Sequence, residues 1–213
     1  MIIALDGPAA SGKGTLARRL AGHYKLPHLD TGLLYRAVGL KVLERGVRFD
    51  DEPTLVALGR ELDLANLDPE ALKSAAVGEA ASRVAVCTAL RGVLFRVQKE
   101  FAHQPGGAVL DGRDIGTVIA PEAEVKIFVT ASPEARAQRR FKEFFERGEA
   151  TSFDDVLADI HRRDERDSGR ASAPLTKADD AVVLDNTALD KEQSWQRALE
   201  IVETRLKEVS YER

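Results

Sequence analysis

The chain has 213 residues, of which 44% are hydrophobic and 31% charged, so it is long enough to bury one sizeable core. Its formal net charge of −4 argues against nucleic acid as the main partner, because duplex-binding surfaces are usually basic. The single cysteine excludes an intrachain disulfide, and the absence of a leader pattern or a long apolar run predicts a cytoplasmic protein outside any membrane.

Short strand-like runs alternate with longer segments of helical spacing along the whole chain. The strand-like runs, in chain order, are IIAL, PHLD, AVL, VKIFVTA and AVVLD. This alternation predicts an α/β fold, in which helices flank a parallel sheet of five strands. The last helix is the clearest, because Trp195, Ala198 and Val202 recur on one apolar stripe. We expect residues 1–213 to form a single domain.

The first loop has the spacing of a phosphate-binding loop (P-loop), since it follows a strand-like run and precedes a helix-like one. Its residues are Gly7, Pro8, Ala9, Ala10, Ser11, Gly12, Lys13, Gly14 and Thr15. Backbone N–H groups of such a loop bind phosphate oxygens, and Lys13 would contact the β- and γ-phosphates. Gly14 stands where the motif usually has Ser or Thr, and the hydroxyl residue, Thr15, lies one position further along the chain. This indicates a metal held mainly by water and by the substrate phosphates.

Other motifs narrow the class of P-loop protein. No D-x-x-G motif of a GTPase switch occurs, and TKAD at residues 176–179 precedes a strand-like run, which predicts a surface turn. The H-R-D-x-x-x-x-N loop of protein kinases is also absent. Small-molecule kinases and their relatives remain, and these need arginines that hold a second anionic substrate.

Three segments supply residues for such a second site. They are Tyr35 and Arg36 in LDTGLLYR, Asp111, Arg113 and Asp114 in VLDGRDIGT, and Arg163, Asp167 and Arg170 in RRDERDSGR. The second segment follows a strand, where ligands of open α/β sheets bind. The third set shares one helix face, and on spacing alone a salt-bridged, solvated face is the better interpretation of it.

Five segments together resemble the bacterial cytidylate kinases over about residues 2–205. They are DGPAASGKGT, LDTGLLYRA, LDGRDIGTVIAPEAEVKIFVTASPEARAQRR, RRDERDSGRASAPL and DDAVVLDNT. The resemblance implies a P-loop kinase with a small helical subdomain that binds CMP, within residues 31–105. It also implies a short lid with CMP-contacting helices at about 136–170. The implied reaction transfers a phosphoryl group from ATP, with Mg²⁺, to CMP or dCMP in pyrimidine metabolism, in a monomer.

The resemblance also implies roles residue by residue. The implied catalytic set is Lys13, Arg36, Arg113 and Arg170. ATP would be bound by the loop from Gly7 to Thr15 together with Arg136 and Arg140. CMP would be bound by Thr31, Tyr35, Arg36, Ser82, Arg91, Arg113, Asp114, Arg163, Asp167 and Arg170, with Asp114, Ser82 and Arg91 on the base. Asp111 would orient a water on Mg²⁺, and Thr15 is a second candidate contact for the metal.

The chemistry of cytosine agrees with the base-reading set. The N4 amino group of cytosine is a donor that a carboxylate such as Asp114 accepts, whereas uracil would present an oxygen there, at a cost of a few kcal/mol, roughly. No general base is required, since the second pKa of a phosphate monoester is about 6. Ser82 and Arg91 would lie on opposite faces of one straight helix, so we predict a break near Cys87 and Thr88.

One segment departs from the family pattern. Between Leu67 and Val77 the chain has only DPEALKSAA, where most family members carry an extra β-rich segment, and this leaves open how tightly CMP is enclosed. Two alternatives also stay open: a related kinase with broader pyrimidine use, and a nucleotide-binding regulatory or assembly protein that has kept the loop but lost phosphoryl transfer. The arginines at the second site argue against the regulatory protein.

Overall fold

The computed structural model describes residues 1–63 and 66–211, with side chains through residue 208. Residues 64, 65, 212 and 213 of the predicted domain lie outside this description. The sheet contains β1 (Ile2–Asp6), β2 (His28–Asp30), β3 (Ala108–Gly112), β4 (Val125–Thr130) and β5 (Val182–Asp185), in the spatial order β2-β3-β1-β4-β5. All neighbouring strands are parallel, which confirms the predicted sheet and the strand PHLD.

Helices cover both faces of this sheet. They are α1 (Lys13–Tyr24), α2 (Thr31–Arg45), α3 (Glu52–Arg60), α4 (Ala75–Val84), α5 (Thr88–Ala102), α6 (Pro133–Glu146), α7 (Phe153–Gly169) and α8 (Lys191–Tyr211). A π-helical turn, Ile115–Ile119, follows β3. Successive residues of β1 pack on opposite faces: Ile3 joins the core under α1 and α8, and Ala4 joins the core that contains the π-helical turn.

Helices α2 to α5 have a hydrophobic core of their own, which includes Leu34, Val38 and Leu94. Helix α4 ends at Val84 and α5 begins at Thr88, so the predicted break between the base-reading side chains is confirmed. The sulfur of Cys87 caps α5 by accepting from the Leu90 N–H at 3.5 Å. This change of direction brings side chains from two helices to one side of the subdomain.

The lid region consists of two helices separated by a short interruption. Helix α6 ends at Glu146, and Gly148 has a φ of +72°, in the left-handed region that ends many helices. Helix α7 begins after Ser152, whose hydroxyl accepts from the Asp155 N–H at 3.1 Å. The segment 176–179 lies in a largely exposed loop before β5, as predicted for a surface turn.

Arginines hold the short connection that precedes α4. Arg36 donates to the Leu72 carbonyl at 2.6 Å, and Arg147, just beyond α6, donates to the Lys73 carbonyl at 2.9 Å. The Leu72 side chain packs in a small core with Ala37 and Val77. The segment that is short relative to the family pattern is therefore tied both to α2 and to the lid region.

Candidate active site

The P-loop joins β1 to α1 at the carboxyl edge of the sheet. Gly7 approaches β4 so closely that a Cβ there would lie 2.0 Å from the Val129 carbonyl oxygen, and Gly12 has a φ of +90°. Both positions therefore require glycine. Lys13 is buried and donates from Nζ to the Pro8 carbonyl at 3.3 Å, within the loop itself. The loop is preformed by contacts inside the protein.

Several cations around the loop are buried without full neutralisation. Burial, reinforced by nearby Arg113, lowers the pKa of Lys13 to about 7, although Asp111 opposes the shift. Burial and Arg113 also lower the pKa of Arg163 to about 9. Bound phosphates would supply the negative charge that these groups lack, and would restore their ordinary pKa values. The charge distribution is that of an anion-binding site.

Beside the P-loop, nine of the ten residues predicted to bind CMP line one pocket. They are Thr31, Tyr35, Ser82, Arg91, Arg113, Asp114, Arg163, Asp167 and Arg170. The cavity between them has a volume of about 40 Å³, whereas ligand sites usually have about 300 Å³ or more. The pocket is therefore assembled but nearly closed, and a nucleotide would need the surrounding helices to separate.

Ion pairs fill much of this pocket. Asp114 accepts from Arg91 Nη2 at 2.5 Å, and its other oxygen lies 3.7 Å from Arg170 Nη2. Arg113 Nε donates to Asp167 at 2.8 Å. These pairs link the loop after β3 to α5 and to the end of α7, so they orient the predicted base-reading and phosphate-binding groups.

Three buried polar atoms in the pocket have no hydrogen-bond partner in the part of the chain that the structure describes. They are Ser82 Oγ, Arg163 Nε and Arg170 Nη2. Buried polar atoms are normally satisfied, so unpartnered ones facing a cavity indicate a site built for a polar ligand. The third predicted base reader, Ser82, is thus available for hydrogen bonding beside the Arg91–Asp114 pair.

The remaining predicted arginines lie outside this pocket lining. Arg36 and Arg140 converge on α4, since a Cβ at Gly78 would lie 3.2 Å from Arg36 Nη2 and 3.3 Å from Arg140 Nη2. Burial and the neighbouring Arg140 lower the pKa of Arg36 to about 10. Arg136 contacts the P-loop through the Ala9 carbonyl at 3.3 Å and forms a two-bond ion pair with Asp164 of α7 at 3.0 and 2.5 Å.

Asp111 lies where the P-loop and β3 meet. Its Oδ1 is 2.8 Å from His28 Nε2, and its Oδ2 is 3.5 Å from the position of a Cβ at Gly14. Asp30 lies opposite Asp111 in the parallel register of β2 and β3, and burial together with the charge of Asp111 raises the pKa of Asp30. Thr15 is exposed in the first turn of α1. Oxygen donors facing a phosphate-binding loop fit Mg²⁺, which prefers oxygen ligands and keeps several waters.

Two residues that support the loops of the site were not predicted from the sequence. Asp6, at the end of β1, accepts hydrogen bonds from the loop after β3. Asn186, after β5, donates from Nδ2 to the Ser11 carbonyl at 2.7 Å and accepts from Arg139 at 2.9 Å. Both polar side chains lie at the carboxyl ends of strands, and this placement was a signal that could have identified them.

The strand order, the P-loop and the adjacent anion-binding pocket define the chain as a P-loop kinase. A family model described as cytidylate kinase matches residues 3–204. The chain is 63% identical over 205 residues to a cytidylate kinase of Xanthobacter autotrophicus, covering 96% of this chain and 98% of that protein. It is 61% identical over 203 residues to one of Azorhizobium caulinodans, covering 95% and 98%. The chain belongs to the cytidylate kinase family, as its sequence motifs predict.

Solved structures of lower sequence identity share the fold. An uncharacterized protein from Eubacterium ventriosum aligns with a TM-score of 0.54 and 17% identity, over 97% of this chain and 98% of that one. TT1252 from Thermus thermophilus aligns with a TM-score of 0.51 and 21% identity, over 97% of each chain. Among the described residues, no helix is long and apolar enough to cross a membrane.

Proposed function

We propose that this kinase transfers the γ-phosphoryl group of ATP to CMP or dCMP, giving ADP and CDP or dCDP. The observation that carries the proposal is the pocket next to Lys13, in which a buried carboxylate, a hydroxyl and several arginines face one cavity. An ATPase has no use for a second cationic pocket of this kind, whereas a kinase must hold an anionic acceptor in line with ATP.

On the donor side, the N–H groups of the P-loop and Lys13 bind the ATP phosphates. Asp111, through water, and Thr15 are the residues that would hold Mg²⁺, which neutralises phosphate charge when it is bound. His28 fixes one oxygen of Asp111 and leaves the other on the side of the P-loop. Arg136 holds the loop carbonyl at Ala9 and thereby connects donor binding to the lid.

On the acceptor side, Asp114 accepts from the cytosine N4 amino group, while Ser82 and Arg91 complete the recognition of the base. Uracil has an oxygen in place of that amino group, and two acceptors would then face each other in a dry pocket. Asp167, held by Arg113, accepts from the sugar. The predicted clamps Arg36, Arg113 and Arg170, with Arg163, neutralise the acceptor phosphate and the transferring group. Thr31 and Tyr35 line the same pocket and are the remaining residues that we assign to CMP binding.

The phosphate of CMP is already largely ionised at neutral pH, so the protein positions two substrates and neutralises charge without a general base. Closure excludes water, which would otherwise accept the phosphoryl group. The cavity of about 40 Å³ requires an opening motion before CMP enters. We assign this motion to the subdomain within residues 31–105 and to the lid region at 136–170. They meet where Arg166 donates to both carboxylate oxygens of Glu79 at 3.1 and 2.9 Å.

Steady-state assays with ATP and Mg²⁺ test the proposal, with ADP formation followed for CMP, dCMP, UMP and AMP as acceptors. We expect CMP and dCMP to be used far better than UMP or AMP. UMP turnover equal to that of CMP would contradict the base-reading assignment and favour a broader pyrimidine kinase. ATP binding without any acceptor-dependent turnover would favour a regulatory nucleotide-binding protein.

A further inference from the structure

Asp6 is a buried carboxylate that connects the two halves of the site. It is the last residue of β1 and directly precedes Gly7, the first residue of the P-loop. Its side chain does not bind the P-loop backbone but crosses to the neighbouring loop, where Oδ1 accepts from the Ile115 N–H at 2.8 Å and Oδ2 accepts from the Gly116 N–H at 2.7 Å. The backbone of Asp6 thus leads into the P-loop, which binds the phosphoryl donor, while its side chain binds the loop after β3, which carries acceptor-site residues.

These two N–H groups are the first of the π-helical turn that begins after Asp114. The first N–H groups of a helix have no partner within the helix, so a side chain from elsewhere in the fold must satisfy them when they are buried. Asp6 supplies that cap from a strand more than a hundred positions away. The cap fixes the direction in which the turn leaves β3, and with it the direction of the Asp114 side chain.

The same turn is fixed on its other side by contacts that leave little freedom. Thr31 Oγ1 donates to the Asp111 carbonyl at 2.9 Å. A Cβ at Gly112 would lie 2.5 Å from Thr31 Oγ1 and 2.8 Å from Ile115 Cδ1, so the backbone is packed closely at that point. Without Asp6, the turn would keep its anchor at Asp111 but lose the one at its helical end.

A carboxylate is costly to bury at this position in the fold, because burial disfavours its charged form. Burial raises the pKa of Asp6 to about 6, against the opposing effect of the hydrogen bonds from Gly116 and Ile115. The neighbouring charges of Asp114 and Lys13 have smaller, opposite effects on this pKa. A neutral amide would cost less to bury but has a single acceptor oxygen, and its NH₂ group would face one of the two backbone donors.

We propose that Asp6 is a positioning residue of the acceptor site, which holds Asp114 and Arg113 in place through its bonds to Ile115 and Gly116. This role rests on the proposed function, since it concerns the binding of CMP. The proposal predicts different effects on the two substrates. Although Asp6 adjoins the P-loop in sequence, its loss should weaken the binding of CMP and not that of the adenine nucleotide. Both substrates would be affected alike if Asp6 served only the stability of the sheet.

The test compares wild type with Asp6→Asn, and measures the binding of CMP alone and of ADP alone by titration calorimetry. We expect the dissociation constant for CMP to rise about tenfold, while that for ADP changes less than about threefold. The ratio of kcat/KM for CMP to that for UMP should also fall, because Asp114 is no longer held. Unchanged ADP binding shows in the same experiment that the variant is folded.

A second variant disturbs the same contact from the other side. In Gly116→Ala the new Cβ would lie 3.4 Å from Asp6 Oδ2 and 3.1 Å from the Lys126 side chain, so either the lysine chain or the turn must move by a few tenths of an ångström, roughly. We expect the same pattern, with weaker CMP binding and normal ADP binding. Asp190→Asn is the matched control, because Asp190 also accepts from two backbone N–H groups, each at 2.8 Å, but at the exposed start of α8. The control should leave both affinities unchanged.

Each result has one interpretation. Equal losses of CMP and ADP affinity, or unchanged CMP affinity in Asp6→Asn, would overturn the positioning role while CMP turnover by the wild type leaves the proposed function intact. If the wild type itself neither binds nor phosphorylates CMP, the proposed function is wrong and the role of Asp6 is wrong with it.

Discussion

Replacing Asp114 by Asn removes one negative charge from the acceptor pocket while keeping the shape of the side chain. In the structure one carboxylate oxygen accepts from Arg91 at 2.5 Å, and the other lies 3.7 Å from Arg170. The amide that replaces it can donate a hydrogen bond where the carboxylate could only accept. Asp114→Asn should therefore lose activity on CMP and tolerate UMP, whose O4 atom is an acceptor.

The size of the effect follows from the burial of Asp114, which is 5% exposed. Hydrogen bonds to charged groups contribute about 1.5 to 3 kcal/mol, which corresponds to roughly 10- to 150-fold in kcat/KM. Little of this is screened by water at such a site. The substitution also leaves Arg91 and Arg170 without their anionic partner, and breaking a buried ion pair costs about 3 to 5 kcal/mol of stability. Urea unfolding must therefore accompany the kinetics.

The assay is the ratio of kcat/KM for CMP to that for UMP in folded protein at saturating ATP. Asp167→Asn is the matched control, because it removes another buried carboxylate paired with an arginine, Arg113 at 2.8 Å, on the sugar side of the pocket. The control should lower activity on both nucleotides and leave their ratio unchanged. A ratio that is unchanged in Asp114→Asn, or that falls equally in Asp167→Asn, would refute the assignment of the base-reading carboxylate.

Three further predictions concern the donor loop and the buried charges. Lys13→Met should lower kcat by roughly 10²- to 10³-fold, with no loss of melting temperature, because the folded state already disfavours the lysine charge. Asn186→Ala should raise KM for ATP about tenfold and leave KM for CMP unchanged, because the bond to the Ser11 carbonyl is lost; steady-state kinetics check both. Burial raises the pKa of Asp6 from 3.8 to about 6, so the folded state binds more protons than the unfolded chain between these values and its stability falls as pH rises through them. Relative to Asp6→Asn, the wild type should lose about 2 kcal/mol of unfolding free energy between about pH 4 and 7, measured by urea titration.

The sequence predicts most of the fold because local patterns carry the required information. Runs that contain β-branched residues identify four of the five strands, and the P-loop spacing identifies the joint between β1 and α1. The short strand in PHLD has no β-branched residue and is the weakest of the strand predictions. The break between α4 and α5 could be predicted by combining helix geometry with the family resemblance. The resemblance implies that Ser82 and Arg91 contact one base, whereas a single straight helix would put them on opposite faces. In each of these cases the deciding interaction spans only a few residues.

Partners in the site are harder to predict, because they depend on how distant segments pack. The sequence motifs include all four residues of the two buried ion pairs. Nothing in their spacing predicts that Arg91 pairs with Asp114, or that Arg113 pairs with Asp167. Asp6 was missed for the same reason. The parallel register sets Asp6 opposite Gly112, and from there its carboxylate reaches the π-helical turn that follows β3.

Their pKa shifts divide the arginines in and beside the acceptor pocket into two groups with different roles. Burial is the largest single influence on the pKa of Arg113 and lowers it, but the charge and hydrogen bond of Asp167, together with the charges of Asp30 and Asp111, raise it on balance. This arginine therefore already has its counter-ion, Asp167, before any substrate binds. In the described part of the chain, neither Arg163 nor Arg36 forms an ion pair. Burial with neighbouring arginines lowers their pKa values to about 9 and 10, although the charges of Asp167 and Asp30 partly oppose the shifts. A phosphate adds little electrostatic stabilisation to an arginine that already has a counter-ion, so such an arginine serves mainly to orient the phosphate. An unpaired arginine is stabilised much more, because the phosphate becomes its counter-ion. We therefore expect the charge that draws the acceptor phosphate into the site to come from Arg163 and Arg36, and its alignment to come from Arg113.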